Sequence, residues 1–327
     1  MLNIASTKLF ERINRTDNSK QQASFMSSIA IILLLMSAFT HAGWNFISKR
    51  EYPTLSFYLV ANIFGTLCVL PILYYYRSHI GMIPATVWIY VTISGFCLAV
   101  YMALLAGAYR YGDLSIAYPI ARSLPIIFVT AGAIIIGRDT VPEWPYFIGM
   151  ISVVAGCVLL PLVTLGDFNI KKFINASCLL AVASAVFISG YTILDYEALR
   201  FLSERSGGFF TPVNATLIYM VLEAITSSIW KGVLVLISPY ERGNIKIVLR
   251  KSKSAAALTG IGIYLTYGLV LASMNYVSNI GYVAIFRQLS IPLGAIFGIL
   301  LLKESRYSPK ILGVIMIFVG LIFVGLG

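Results

Sequence analysis

Long runs of apolar residues dominate the chain, and short polar segments separate them. Each run has about 20 residues, the length of an α-helix that crosses a hydrocarbon core roughly 30 Å thick. Backbone groups inside a bilayer must bond within a helix or a closed barrel, and continuous rather than alternating apolar runs favour helices. The pattern predicts ten membrane-spanning helices, at residues 27–47, 54–76, 84–109, 114–136, 144–164, 174–194, 212–238, 255–275, 280–302 and 308–326.

Composition and charge support this assignment. Of the 327 residues, 59 % are hydrophobic and 11 % are charged, whereas soluble domains have about 25 % charged residues. The net charge of +11 does not indicate nucleic-acid binding, because the basic residues lie at the ends of the apolar runs, where they meet lipid headgroups. The four cysteines all lie inside apolar runs and form no C-x-x-C pair, so we predict neither a metal site nor a cofactor.

Two halves of the chain resemble each other. At one constant offset, charged and aromatic positions of the first half meet those of the second. The charged matches are the most informative, because charge is scarce here. We predict a polar tail at 1–26 and two five-helix repeats at 27–164 and 165–327. At that offset Tyr111 meets Tyr276, Arg122 meets Arg287 and Arg138-Asp139 meets Lys303-Glu304. A slip of one residue then pairs Gly149 with Gly313 and Gly156 with Gly320, and Gly43-Trp44 can be set against Gly190-Tyr191 with an insertion between.

An odd number of helices in each repeat has a topological consequence. The second repeat must enter the membrane from the side opposite to the first, which makes the two halves an inverted-topology repeat. This arrangement is common in secondary transporters.

The end of the first span carries a family signature. Residues 41–49, His-Ala-Gly-Trp-Asn-Phe-Ile-Ser-Lys, resemble the H-A-x-W-N-x-x-x-K motif of the drug/metabolite transporter superfamily, in its ten-helix EamA-type branch. Both halves also close with an apolar helix, a short charged turn and a Gly-rich helix, as in that family. Asp139 departs from the family's usual Glu, and the loop between spans seven and eight is longer and more basic than expected.

The resemblance implies an all-α integral membrane fold in which ten helices, as two inverted five-helix repeats, surround a central cavity. It further implies a multi-pass carrier of a small-molecule substrate in a bacterial inner (plasma) membrane, with both termini in the cytoplasm. Family substrates range from amino acids to nucleosides, sugar phosphates and drugs, so the resemblance does not name one. The count of basic residues favours the opposite orientation, with the N-terminus outside.

Ionisable residues inside the spans are the first candidates for function. Arg122 lies about 12 Å into the fourth span at 1.5 Å per residue, and Arg287 holds the matching place in the ninth. If both face one cavity, their guanidinium groups suit a carboxylate, phosphate or phosphonate. The alternative is that both arginines bind carbonyl groups at helix breaks near Pro119, Pro125 and Pro292, or extend to an interface.

Other candidates are weaker. Glu223, in the middle of the seventh span, either pairs with an arginine or takes up a proton. His41 and Asn45 share one face of the first span, beside Trp44, and either line the cavity or bond a neighbouring helix. Tyr118 and Tyr282 complete the predicted substrate-binding set by supplying aromatic or hydroxyl contacts.

Three function classes remain to be weighed. A secondary transporter of an anionic or zwitterionic solute is favoured, and the chain has no G-x-x-x-x-G-K-[ST] motif for ATP hydrolysis. A flippase-like protein for a lipid-linked intermediate is the alternative and would need a lateral opening between helices. A membrane-embedded enzyme is disfavoured, because catalytic groups do not cluster. The lipid bilayer is the expected environment, and the sequence leaves open whether the chain forms a homodimer.

Overall fold

A computed structural model describes residues 26–49, 51, 54–111, 114–138, 141–167, 175–205, 208–301 and 305–326. Residues 1–25 of the predicted tail, Asp139 and the charged turn at 302–304 lie outside this set, and so does the side chain of Tyr118.

The described residues form α-helices joined by short turns, with no β-strand among them. We number the helices in chain order as α1 (Ser28–Lys49), α2 (Leu55–Tyr75), α3 (Ala85–Tyr111), α4 (Leu114–Ile135), α5 (Trp144–Leu159), α6 (Ala176–Arg205), α7 (Pro212–Ile237), α8 (Pro239–Lys251), α9 (Lys253–Met274), α10 (Ile280–Phe286), α11 (Ser290–Leu301) and α12 (Ser308–Leu326).

Local sequence explains where several helices begin. Thr54 caps α2 by accepting a hydrogen bond from the amide of Phe57 at 3.2 Å. Thr211 caps α7 in the same way, and proline follows it at the first helical position. Such residues satisfy amide groups that have no partner inside the helix.

The helices have the dimensions of a membrane protein. In the part of the chain that the structure describes, eight helical segments are long and apolar enough to span a bilayer, and one of them, Ile280–Phe297, runs through α10 into α11. The stretch Ile120–Ile135 within α4 and the helix α5, Trp144–Leu159, are shorter apolar segments. Large apolar side chains such as Leu67 and Ile151 are exposed on the outside of the bundle, where lipid would cover them. The prediction of an all-α, multi-pass membrane protein is confirmed at this level.

Two elements differ from the sequence-based prediction. The sixth predicted span, 174–194, is part of a longer helix that continues to Arg205. The basic loop after span seven forms the additional helix α8, whose Arg242, Lys246 and Arg250 are exposed. Ser56 attaches α8 to α2 by donating its amide and its hydroxyl to Oε2 of Glu241, at 2.8 and 2.6 Å.

The ninth predicted span is interrupted at Arg287. A 3₁₀ turn at Arg287–Leu289 joins α10 to α11. Pro292 has no amide hydrogen to donate to the carbonyl of Gln288, which weakens regular helix at this point. Two side chains bond other carbonyl groups at this break: Ser290 Oγ donates to the Arg287 carbonyl and Gln288 Nε2 donates to the Ala284 carbonyl, both at 3.0 Å.

Glycines allow α5 and α12 to cross in close contact. A Cβ atom on Gly149 would lie 2.5 Å from the carbonyl oxygen of Gly320, and one on Gly156 would lie 2.7 Å from that of Gly313. Residue numbers rise along α5 as they fall along α12, so the two helices run antiparallel. Small residues at such contacts are the usual way to bring membrane helices together.

Four further helix contacts build most of the bundle. Helix α3 packs along α6 and α9 along α1, while α2 packs along α9 and α3 along α7. Helices α2 and α7 also touch each other. In that contact, Lys231 Nζ donates to Asn62 Oδ1 at 2.8 Å, and the hydroxyl of Tyr76, just after α2, donates to Asn214 Oδ1 at 2.9 Å. Residue numbers rise along α2 as they fall along α7, so the two helices run antiparallel.

Candidate functional site

A cavity of about 110 Å³ lies inside the bundle. Helices α1, α2, α3, α4, α6 and the α10–α11 break all contribute to its wall, so both halves of the chain line it. The lining residues are His41, Trp44, Asn45, Tyr58, Tyr101, Met102, Leu105, Ala121, Arg122, Pro125, Val129, Ile188, Tyr191, Thr192, Ala284, Arg287 and Gln288.

Arg122 enters the cavity from α4 and contacts α1. Its Nη2 lies 2.7 Å from Nε2 of His41. Because an arginine can only donate, the imidazole accepts at Nε2 and is neutral, with its proton on Nδ1. The His41 ring also meets Trp44 edge to face, with ring centroids 4.7 Å apart, so two aromatic side chains of α1 in contact with each other support the guanidinium.

Arg287 enters from the helix break and contacts α6. Its Nη2 donates to the Tyr191 hydroxyl at 2.8 Å, and its Nη1 lies 3.5 Å from Thr192 Oγ1. Its guanidinium carbon is 5.7 Å from the centroid of the Tyr191 ring, which itself lies 5.6 Å from the ring of Tyr101. Each arginine is therefore oriented by the first helix of its own half.

The electrostatics of this cavity favour an anion. Two arginines line it, and no aspartate or glutamate is among the described residues that do so. Within the described chain, Arg287 makes no ion pair with a carboxylate. A partly buried cation that no carboxylate contacts carries a desolvation cost, and an anionic ligand bound to Arg287 would offset part of it.

Two further polar groups of the lining residues have no hydrogen-bond partner. They are Nε1 of Trp44, a donor, and Oε1 of Gln288, an acceptor, and both atoms are buried. Buried polar groups in proteins are nearly always bonded.

The structure brings five of the eight predicted site residues to this cavity, namely Arg122, Arg287, His41, Trp44 and Asn45. Glu223 and Tyr282 are buried but do not line it. Tyr282 instead packs edge to face on Tyr146, with centroids 5.5 Å apart. The side chain of Tyr118 lies outside the described residues.

Sequence reasoning missed Tyr191, Thr192 and Gln288. A signal for the first existed, because the repeat alignment pairs Tyr191 with Trp44, which was a candidate. Thr192 and Gln288 are neighbours in sequence of Tyr191 and Arg287, but a single polar residue within an apolar run gives no indication of which face it occupies.

The sequence matches no family model and no curated protein. Solved structures do match the fold. One, described as "Crystal structure of protein", is similar with a TM-score of 0.67 over 92 % of this chain and 97 % of its own chain. Its sequence is 12 % identical, so the similarity concerns the fold alone.

Proposed function

We propose that this protein is a secondary transporter that carries a small anionic or zwitterionic organic solute, with a carboxylate, phosphate or phosphonate group. The observation that carries the proposal is that Arg122 and Arg287 line one buried cavity to which no described acidic residue contributes. Guanidinium groups bind oxyanions through pairs of parallel hydrogen bonds. Two of them, approaching from different helices, would hold one oxyanion between them.

An inverted repeat is part of the proposal, and the helix packing supports it. The repeat pairs α1 with α6, α2 with α7, α3 with α9 and α5 with α12. Exchanging the members of each pair turns the α3–α6 contact into the α9–α1 contact, and the α2–α9 contact into the α7–α3 contact. Under the same exchange the Gly149–Gly320 contact becomes the Gly313–Gly156 contact. The exchanged pairs α2 with α7 and α5 with α12 run antiparallel, as opposite insertion requires.

Counting the two shorter apolar helices with the eight longer ones gives the ten crossings that the sequence predicts. Membership of the EamA-type branch of the drug/metabolite transporter superfamily and residence in a bacterial inner (plasma) membrane belong to the same proposal. Their support is the motif at 41–49, of which His41, Trp44 and Asn45 line the cavity.

The cavity is smaller than a typical ligand pocket. Typical ligand pockets have volumes of roughly 300–1,000 Å³, and this cavity has about 110 Å³. An oxyanion head group fits such a volume. A larger solute would require the helices around the cavity to separate, as they must in any case for access from either side.

Lipid translocation would require a lateral opening that leads to the arginines, and the second hollow of the structure does not provide one, so we favour solute transport. An apolar groove of about 400 Å³ lies between α2, α7 and α9, where Leu265 and Val213 are exposed. Among the described residues, none lines both this groove and the arginine cavity. The groove is therefore not a lateral portal through which a lipid head group would reach the arginines.

Ligand-induced stabilisation of the purified protein tests the proposal. Inorganic phosphate, methylphosphonate, acetate and glycine would be added at equal ionic strength, with chloride as the reference. We expect at least one to raise Tm by several degrees, because a ligand at 100 times its Kd stabilises the folded state by about 2.7 kcal/mol. Arg287→Gln should reduce the rise to about half or less, because a ten- to 100-fold weaker Kd leaves about 0.4–1.4 kcal/mol of stabilisation at the same concentration. No response beyond chloride from any of these compounds, or an equal response from Arg287→Gln, would contradict the proposal.

A further inference from the structure

A second cluster of ionisable residues is buried in the bundle, apart from the arginine cavity. Asp195 of α6 and Glu223 of α7 are fully buried, and Lys231 of α7 is 1 % exposed. None of the three lines the arginine cavity. Ionisable groups inside membrane-spanning segments are costly and are functional candidates by default, so their bonding partners decide what each can do.

Asp195 is fully provided with hydrogen-bond donors. Ser94 Oγ and the Tyr219 hydroxyl donate to its Oδ1 at 2.5 and 2.8 Å, and the Tyr267 hydroxyl donates to its Oδ2 at 2.7 Å. These hydroxyl groups come from α3, α7 and α9. Three donors around one carboxylate stabilise the ionised form, so we assign the negative charge of this cluster to Asp195.

Glu223 has the opposite environment. Neither of its carboxylate oxygens has a hydrogen-bond partner, although both are buried. Tyr219 lies one turn before it on the same face of α7 and donates to Asp195, so the two acids are close enough for their charges to repel. An ionised carboxylate without donors, beside another negative charge, is far less stable there than the neutral acid.

Lys231 makes no hydrogen bond to Glu223, although its charge acts on that carboxyl group. The two residues are two turns apart on α7. Lys231 Nζ donates to Asn62 Oδ1 of α2 at 2.8 Å, and Asn62 is bonded in turn to Ser228. Lys231 is therefore bonded to α2 and not to Glu223.

Among the described groups that act on Glu223, Lys231 is the one cation. Helix α2 contributes the amide and hydroxyl of Asn62 and Thr66, which do not titrate. Five described titratable groups interact electrostatically with Glu223. They are Asp195 from α6, Tyr219 and Lys231 from α7, and Tyr264 and Tyr267 from α9. Arg287 acts on Asp195 from the cavity side.

Helix α6 connects Asp195 and Glu223 to the arginine cavity. Tyr191 and Thr192 contact Arg287, and Asp195 lies one helical turn further along α6. A ligand that moves Arg287 or turns α6 would therefore change the distance between Asp195 and Glu223, and with it the stability of a charge on Glu223.

We propose that Glu223 is a proton-binding site, whose carboxyl group is protonated in this conformation at neutral pH. The proton adds to one carboxylate oxygen, and no other bond forms or breaks. In a transporter, a site that gains and loses a proton as the helices rearrange couples solute movement to proton movement, and this consequence rests on the function proposed above.

Infrared spectroscopy of the full chain in lipid tests this directly. A protonated carboxylic acid has a carbonyl stretch that ionised carboxylates lack. We expect one such band at pH 7.5 in the wild type, shifted by ¹³C labelling of glutamate and lost in Glu223→Gln. Glu204→Gln is the matched control, because Glu204 is an exposed glutamate paired with Arg200, and it should retain the band.

The measurement with ¹³C-labelled glutamate uses the wild-type protein, so it can be interpreted even if a variant does not fold. Absence of the band at pH 7.5, a band that does not shift with labelled glutamate, or a band that persists in folded Glu223→Gln would overturn the proposal. The measurement requires no transported ligand. If the band is present but no oxyanion stabilises the protein, the proton site holds and the transport proposal fails. If an oxyanion stabilises the protein but the band is absent, the transport proposal holds and the proton site fails.

Discussion

Replacing Arg122 and Arg287 together by glutamine is expected to lower the affinity for the bound oxyanion by at least about 100-fold. A hydrogen bond to a charged group contributes about 1.5–3 kcal/mol, and each 1.4 kcal/mol is a factor of ten in Kd. Each single substitution should therefore cost about ten- to 100-fold. Isothermal titration of the purified variants with methylphosphonate or phosphate, whichever stabilises the wild type more, measures this effect.

Lysine substitutions and a surface arginine provide the controls. Arg287→Lys keeps the charge but loses the fork of donors, so its affinity should lie between those of the wild type and Arg287→Gln. Arg200→Gln removes an exposed arginine, paired with Glu204 at 2.8 Å, and should leave the affinity unchanged. If folded Arg122→Gln and Arg287→Gln both bind the anion as tightly as the wild type, the arginines are structural and the proposed site is wrong.

The largest effect on stability is expected from Gly260→Ala. Gly260 of α9 packs so closely on α2 that an added Cβ would overlap the carbonyl oxygen of Ala61 and approach the amide nitrogen of Gly65 at 3.0 Å. These are backbone atoms, so the two helices must separate. Overpacking of this kind costs about 1–3 kcal/mol, which exceeds the gain in helix propensity of up to about 1 kcal/mol. We expect a lower Tm in detergent and a lower folded yield.

Gly232→Ala is the matched control for this substitution. Gly232 also lies inside a helix, α7, and a Cβ there would meet no atom within 4 Å. Its Tm should stay unchanged or rise slightly, because alanine favours the helical backbone. A Gly260→Ala protein as stable as Gly232→Ala would show that α2 and α9 are less tightly packed than the structure indicates.

The helices were predictable because one signal dominates a membrane protein, namely apolar runs of bilayer length. Helix α8 was not predicted, because it has 13 residues with basic and apolar positions mixed and produces no such run. Its existence also explains a conflict in the sequence. Much of the excess of basic residues opposite the N-terminal side comes from α8 and Lys253, rather than from an irregular loop.

The candidate site was predictable in part. Arg122 and Arg287 were identified because charge within an apolar run is rare and the repeat places both at matching depth. Their contacts were not predictable, since His41 and Tyr191 approach from other helices. Glu223 was recognised as unusual, but its state depends on three hydroxyl groups that neighbouring helices direct at Asp195, and sequence spacing carries no information about such long-range contacts.

The central claim is that Arg122 and Arg287 hold one oxyanion between two oppositely inserted halves. The most direct measurement is an experimental structure of the protein saturated with the oxyanion that stabilises it most. The account predicts the anion inside the cavity, with oxygen atoms within hydrogen-bond distance, about 2.7–2.9 Å, of both guanidinium groups. An anion bound elsewhere, or one that contacts neither arginine, would contradict it.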